Sequence, residues 1–183
     1  NTVIFDEAHQ LPETASLFFG ENLSTTQLLD LAGDTRIEAA AGAKDFAPLP
    51  KACDELDKAA RDLRLVFKKE GRLPAAATES FREFAPALKA LGEKLAQLGG
   101  LLEKQAERSE GLENCWQRAQ ALSQQLGKWQ KGDEPDQVRW LEVFHHSLQL
   151  NTTPLSIAEI FEKQIGGNAR AWIFTSATLA VKQ

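Results

Sequence analysis

The sequence predicts an α+β protein in which parallel strands carry a mainly helical insertion. Short apolar runs at residues 3–5 and 171–174 are each followed at once by polar residues, as buried strands of a parallel sheet are. The long stretch between them has apolar residues at helical spacing instead. We therefore expect strands at both ends of the chain and a mainly helical segment between them.

The first apolar run is followed directly, after Phe5, by Asp6-Glu7-Ala8-His9. A strand buried on both faces holds carboxylates rigidly at its carboxyl end, where α/β sheets bind ligands. This placement suits phosphoanhydride hydrolysis: Asp6 would hold Mg²⁺ through water, and Glu7 would orient and deprotonate the attacking water. The alternative is an exposed acidic turn, although a specified tetrapeptide arises by chance in such a chain only about once in a thousand.

The second apolar run ends at Thr175-Ser176-Ala177-Thr178-Leu179, where small hydroxyl residues replace the carboxylates. Ser-Ala-Thr alone is more typical of a turn or a helix N-cap. In combination with Asp-Glu-Ala-His it indicates two strands that present polar residues to one nucleotide-binding crevice.

These two motifs resemble motifs II and III of superfamily 2 helicases. The stretch from Val138 to Val143 and the Thr153-Pro154-Leu155-Ser156 segment make the sequence similar to the XPD/DinG group, most of all to its YoaA-type bacterial members. The resemblance is concentrated at residues 1–12 and 136–181. It implies an ATP-dependent DNA helicase of DNA repair that couples ATP hydrolysis to 5′→3′ translocation on single-stranded DNA.

The resemblance also implies an architecture and site roles. Residues 1–20 and 151–183 would form part of a RecA-like motor domain in which the strands at 3–5 and 172–174 are parallel neighbours. Residues 21–150 would form an Arch-like insertion that guides or separates strands. The implied roles are hydrolysis for Glu7, Mg²⁺ and nucleotide binding for Asp6 and His9, and transmission of the nucleotide state for Ser176, Ala177 and Thr178.

A phosphate-binding loop is absent from the sequence. No G-x-x-x-x-G-K-[ST] pattern occurs, and the single Gly127-Lys128 pair is followed by Trp129 within a helical pattern. Without that loop the carboxylates have no triphosphate to act on, so we expect this chain alone to be inactive. Because it has no methionine and opens on a strand, we expect a piece of a longer protein. By resemblance, the loop and a four-cysteine [4Fe–4S] domain would precede it, and a second motor domain would follow.

Composition favours a soluble, cytoplasmic protein with no membrane partner. The chain is 43% hydrophobic with a net charge of −5, and it has neither a signal peptide nor an apolar run of ~18 residues. Cys53 and Cys115 stand far apart without companions, which fits no zinc or iron–sulfur pattern. We expect both to be ordinary reduced thiols.

The middle of the chain predicts several helices. Ser24 and Gln27 fit a capping box for a short helix that stops near Gly33, followed by a loop or broken helix over residues 33–50. A longer helix is expected over residues 51–70. Then a heptad repeat runs through Phe81, Phe84, Leu88, Leu91, Leu95, Leu98 and Leu102. Pro86 suits only a first helical turn, so this helix is expected to begin after Phe81.

A break at Ser109-Glu110-Gly111 precedes a similar apolar stripe from Leu112 to Trp129, which predicts an antiparallel helical hairpin. The heptads are either an internal seam between neighbouring helices or a docking surface for a partner protein. The second interpretation would make the chain a helical interaction module. Strands are expected at residues 137–144 and 146–151, and a final helix from Pro154 to Gly166-Gly167.

Four cations could contact DNA. Arg61, Arg64, Lys68 and Arg72 recur at helical spacing and would lie on one helix face, opposite its apolar stripe. A row of cations suits phosphate contacts, although a solvated helix surface gives the same pattern. His145 and His146 are not expected to bind a metal, because adjacent strand residues point to opposite faces.

Overall fold

The computed structural model describes residues 2–10, 20–132, 137–155 and 171–176. The chain divides into two compact units. The first unit comprises residues 1–21, 134–138 and 152–183, and the second comprises residues 22–133 and 139–151. The helix expected between Pro154 and Gly166-Gly167 lies almost wholly outside the described residues.

The first unit contains a pair of parallel strands. Strand β1 (Thr2–Phe5) pairs with β6 (Ala171–Phe174), and the register places Phe5 opposite Phe174. The predicted parallel pairing of residues 3–5 with residues 172–174 is confirmed. The rest of a RecA-like sheet is not observed among the described residues, so that larger sheet stays a prediction.

The prediction that these strands are buried on both faces was wrong for the structure of this chain. Ile4 and Ile173 are register partners, and they are 64% and 44% exposed. Their shared face is an apolar patch of the kind that another layer of a larger sheet domain would cover.

Four helices build the second unit: α1 (Thr25–Gly42), α2 (Pro48–Leu65), α3 (Phe84–Glu103) and α4 (Glu110–Lys131). The capping box at the start of α1 is confirmed, since Ser24 Oγ accepts from Gln27 N–H and Gln27 Oε1 accepts from Ser24 N–H. The predicted stop near Gly33 was wrong. A glycine within a helix costs about 1 kcal/mol, and the buried stripe through Leu31, Thr35 and Ala39 continues past it.

Helix α2 is shifted relative to the expected span of residues 51–70. It starts at Pro48, a residue that suits a first helical turn, and it ends at Leu65. The chain then turns into the short strand β3 (Gly71–Pro74). Gly71 has a φ of +135°, which side-chain-bearing residues rarely adopt, and so permits this change of direction.

Helices α3 and α4 pack as the predicted antiparallel hairpin. A Cβ on Gly92 would lie 3.5 Å from Leu126 Cδ2, and one on Gly99 would lie 3.9 Å from Ala119 Cβ, so the chains run in opposite directions. Pro86 lies in the first turn of α3, as expected. The heptad residues from Phe84 to Leu102 are buried in the core of this unit. The heptads are therefore an internal seam, and they offer no exposed apolar stripe to a partner.

A four-stranded sheet covers part of the helical core. Its strand order is β2 (Glu21–Ser24), β5 (Leu148–Pro154), β4 (Gln137–Val143) and β3, and β3 runs antiparallel to β4. The two strands predicted at residues 137–144 and 146–151 both form, but the second starts at Leu148 and extends to Pro154. His145 and His146 therefore lie in the turn between them with their ring centroids 4.1 Å apart, so the expectation that they point to opposite faces of a strand was wrong. Trp129 Nε1 donates to Asn151 O at 3.2 Å, which ties the end of α4 to β5.

Both cysteines lie in this core as free thiols. Burial raises the pKa of Cys53 to about 11, and burial also raises the pKa of Cys115. No helix in the described ranges is both long enough and apolar enough to cross a membrane.

Candidate nucleotide-hydrolysis site

Backbone hydrogen bonds join the carboxyl ends of β1 and β6. Thr175 N–H donates to Phe5 O at 2.8 Å, and Ala8 N–H donates to Thr175 O at 2.9 Å. Because the parallel register continues one residue beyond both strands, the first polar residue after β6 lies beside the first polar residue after β1. The motifs at the two ends of the sequence therefore form one local site.

Asp6 is held by two donors at one of its carboxylate oxygens. Its Oδ1 accepts from Glu7 N–H at 3.0 Å and from Thr175 Oγ1 at 2.8 Å. No hydrogen bond of the described residues uses Oδ2. One oxygen thus fixes the carboxylate, and the other is left for a ligand.

Glu7 has an unusual backbone conformation. Its φ is +51°, a left-handed value that is uncommon for residues other than glycine and costs of order 1 kcal/mol or more. The Glu7 carboxylate lies beside His9 of its own motif and Ser176 of the other motif: Oε2 is 3.1 Å from His9 Nδ1 and 3.5 Å from Ser176 Oγ.

His9 connects the two motifs directly. It lies in a one-turn 3₁₀ helix (Ala8–Gln10), and its Nδ1 is 2.7 Å from Ser176 Oγ. The same nitrogen therefore contacts both the carboxylate of Glu7 and the hydroxyl of Ser176. The three groups are therefore in mutual contact.

The structure brings together four of the residues that the sequence assigned to the site: Asp6, Glu7, His9 and Ser176. Ala177 and Thr178 lie outside the described residues. Thr175 was not among the predicted site residues, although it bonds Asp6. The signal was its place in the sequence, since it follows β6 as Asp6 follows β1.

The donor set fits a magnesium ion bound through water. Mg²⁺ prefers oxygen ligands, keeps several waters and is held by one or two carboxylates together with substrate phosphates. Asp6 offers one restrained, exposed carboxylate of that kind. Within the described part of the chain, no cluster of three or more acidic, histidine or cysteine side chains could bind a metal without such a substrate.

The four predicted DNA-contacting cations do not share one helix face, so that geometric prediction was wrong. Arg61 and Arg64 lie on α2, but this helix ends at Leu65, which leaves Lys68 in the following turn and Arg72 in β3. Arg61 Nε pairs with Asp57 Oδ1 at 2.6 Å. Arg64 donates to the carbonyl oxygens of Phe67 and Phe144 at 2.7 and 2.6 Å. Contact with DNA stays a prediction for these residues.

A parallel strand pair ending in carboxylates on one strand and hydroxyls on the other has the arrangement expected of helicase motifs II and III. The chain is 34% identical over 181 residues to the ATP-dependent DNA helicase YoaA of Haemophilus influenzae, a match that covers 98% of this chain and 28% of that protein. It is 35% identical over 182 residues to the ATP-dependent DNA helicase YoaA of Escherichia coli, covering 99% of this chain and 29% of that protein.

The chain is therefore related to YoaA-type, DinG-like helicases, as its motifs predicted. It spans less than a third of the length of these curated relatives. No protein-family model matches the chain.

Proposed function

We propose that the full-length protein containing this chain is an ATP-dependent DNA helicase that couples ATP hydrolysis to 5′→3′ translocation on single-stranded DNA. The observation that carries this proposal is the meeting of Asp6, Glu7, His9 and Ser176 at the ends of two paired strands. Support also comes from the relatives, which are ATP-dependent DNA helicases by name. The polarity rests on family resemblance.

In this proposal the chain supplies the hydrolytic half of the nucleotide site. Asp6 would hold Mg²⁺ through water with the carboxylate oxygen that Thr175 leaves uncommitted. The ion, when bound, neutralises charge on the phosphates of ATP. Glu7 would accept a proton from the attacking water, a role open to it because its carboxylate is half exposed at 51%.

Coupling would pass through His9 and Ser176. Their 2.7 Å contact joins the strand that carries the carboxylates to the strand that carries motif III. A shift of the Glu7 carboxylate during hydrolysis would alter its 3.1 Å contact with His9 and so reach Ser176. Ala177 and Thr178 would extend this connection along motif III.

The second unit would serve as the Arch-like insertion that guides single-stranded DNA. The [4Fe–4S] cluster implied by the resemblance would be held by cysteines upstream of this chain. Cys53 and Cys115 do not form such a ligand set, because they are two buried thiols on separate helices, whereas these clusters are held by four cysteines.

The test is Glu7→Gln in the full-length protein. We expect ATP binding to be nearly unchanged and ATP hydrolysis, measured as phosphate release with single-stranded DNA present, to fall to background. The substitution removes the base but keeps the side-chain volume. Glu79→Gln is the matched control, since it makes the same change at an exposed position in the second unit. Full DNA-stimulated turnover in the Glu7 variant would refute the proposed role.

A further inference from the structure

A basic cleft opens where α2 turns into β3. It has a volume of about 460 Å³ and an apolar floor that includes Phe67 and Phe81, whose ring centroids lie 4.9 Å apart. Lys68, Lys69 and Arg72 line it, and all three side chains are exposed. Aromatic rings therefore lie beneath a rim of cations in a nucleotide-sized space.

The cations at the rim are available to a ligand. Lys68 and Lys69 form no ion pair with any residue that the structure describes. Arg64 is close by, since it donates a hydrogen bond to the carbonyl oxygen of Phe67. Its other hydrogen bond also goes to a carbonyl oxygen, that of Phe144, so no carboxylate accepts either bond. Glu70 is the carboxylate among the residues that line the cleft.

Arg72 is held in place by two contacts that leave most of its N–H donors available. Its Nε donates to Glu142 Oε1 at 3.0 Å, and its guanidinium carbon lies 5.0 Å from the centre of the Trp140 ring. The ion pair uses the Nε proton, and a guanidinium has four further N–H donors on its terminal nitrogens. Such an arginine is preorganised to bind a phosphate in a bidentate manner.

The positions of these cations depend on the turn between α2 and β3. Had the helix continued to residue 70, Lys68 would project from the helix surface in line with Arg61 and Arg64. Instead the helix ends at Leu65, and the left-handed conformation of Gly71 brings Lys68, Lys69 and Arg72 around one opening. This positive charge is confined to the cleft region and does not reflect the whole chain, which carries a net charge of −5.

We propose that this basic cleft binds the phosphate backbone of single-stranded DNA, with Lys68 and Lys69 as phosphate contacts and Arg72 as a fixed bidentate partner. The inference rests on the proposed helicase function and names the part of the second unit that touches the strand. Cations that track a backbone above aromatic side chains are the usual composition of a single-strand binding surface. Phe67 is 3% exposed, so a base can contact the floor only at its edge, and the phosphate contacts dominate.

The experiment compares two double charge reversals in the full-length protein. Lys68→Glu/Lys69→Glu alters the cleft, and Lys44→Glu/Lys58→Glu makes the same change in net charge at exposed lysines outside it. Binding of fluorescein-labelled oligothymidylate is measured by anisotropy across a range of salt concentrations. Each phosphate contact to a single strand contributes about 0.7 to the slope of log K against log salt.

The cleft variant should show a salt slope shallower by about 1.4 and a reduced affinity, whereas the control should keep the slope of the unmodified protein. Equal slopes for the two double variants, with both folded by circular dichroism, would overturn the cleft assignment. Failure of the helicase proposal gives a different result, because the unmodified protein would then show no ATPase stimulated by oligothymidylate. A cleft variant that needs more oligothymidylate for half-maximal ATPase stimulation, while the control variant responds as the unmodified protein does, supports both.

Discussion

Replacing Thr175 with valine tests whether the hydroxyl after β6 positions Asp6. The substitution keeps the branched shape of the side chain and removes the donor that lies 2.8 Å from Asp6 Oδ1. Asp6 would then keep the bond from Glu7 N–H but lose the contact that joins it to the second strand. We expect the full-length variant to hydrolyse ATP more slowly and to require more Mg²⁺ for half-maximal activity.

The size of this effect follows from the exposure of the site. A hydrogen bond to a charged group contributes about 1.5–3 kcal/mol. Asp6 is exposed, and solvent competes for its carboxylate, so the loss should be smaller, about 1 kcal/mol. Because 1.36 kcal/mol corresponds to a tenfold change in rate, turnover should fall about fivefold.

The assay is steady-state phosphate release at saturating single-stranded DNA, repeated over a series of Mg²⁺ concentrations. Thr175→Ser is the control, since it keeps the hydroxyl and should retain most of the activity. A purely structural role for Thr175 would lower activity equally at all Mg²⁺ concentrations. An unchanged Mg²⁺ dependence in the valine variant, with the serine variant equally impaired, would refute the positioning role.

Four further outcomes are expected. The 183-residue chain alone should release no phosphate above background, with or without DNA, because its sequence has no phosphate-binding loop. Leu98→Ala should lower the free energy of unfolding in urea by about 2–5 kcal/mol, since Leu98 is fully buried in the α3–α4 seam. Gly132→Ala should cost about 1 kcal/mol or more in the same assay, because Gly132 has a φ of +60° and the Arg139 guanidinium occupies the space that a Cβ would need. The contribution of Cys53 to stability should be fully present below pH 9 and should decline as the pH rises toward 11, since its folded-state pKa is raised; Cys53→Ala should flatten this part of a urea-unfolding pH profile.

Apolar periodicity predicted the second unit well where side-chain packing decides the structure. The seam residues of α3 and the stripe of α4 are buried as their spacing indicated. Strand β4 forms at its expected position, and β5 forms two to three residues later than expected. The errors fall at helix ends. Gly33 did not end α1 because packing on both sides outweighs a propensity cost of about 1 kcal/mol. Leu65 ends α2 without a strong stop signal in its local sequence.

The basic residues show how such an end changes a functional interpretation. Helical spacing alone placed Arg61, Arg64, Lys68 and Arg72 in one row. Because α2 ends at Leu65, these four residues do not form one row. The segment that follows the helix places Lys68, Lys69 and Arg72 around a cleft instead. Lys69 had no place in the helical pattern, because it would lie on a different face from Lys68. Tertiary structure, and not spacing, decides which of these cations can act together.

The site at the strand ends was predictable for a different reason: strand register fixes it. In a paired strand the side chains alternate between faces, so a slip of one residue would turn Asp6 away from Thr175 and exchange the faces of every following residue. The observed register of Phe5 with Phe174 brings Asp6 to Thr175 and Glu7 to Ser176. Two short motifs whose contacting residues lie 167 to 169 positions apart thus define one site, because each directly follows a strand of the same pair. Sequence could supply the residue types and their order, whereas the left-handed turn at Glu7 and the bond from Thr175 depend on backbone geometry that no single motif encodes.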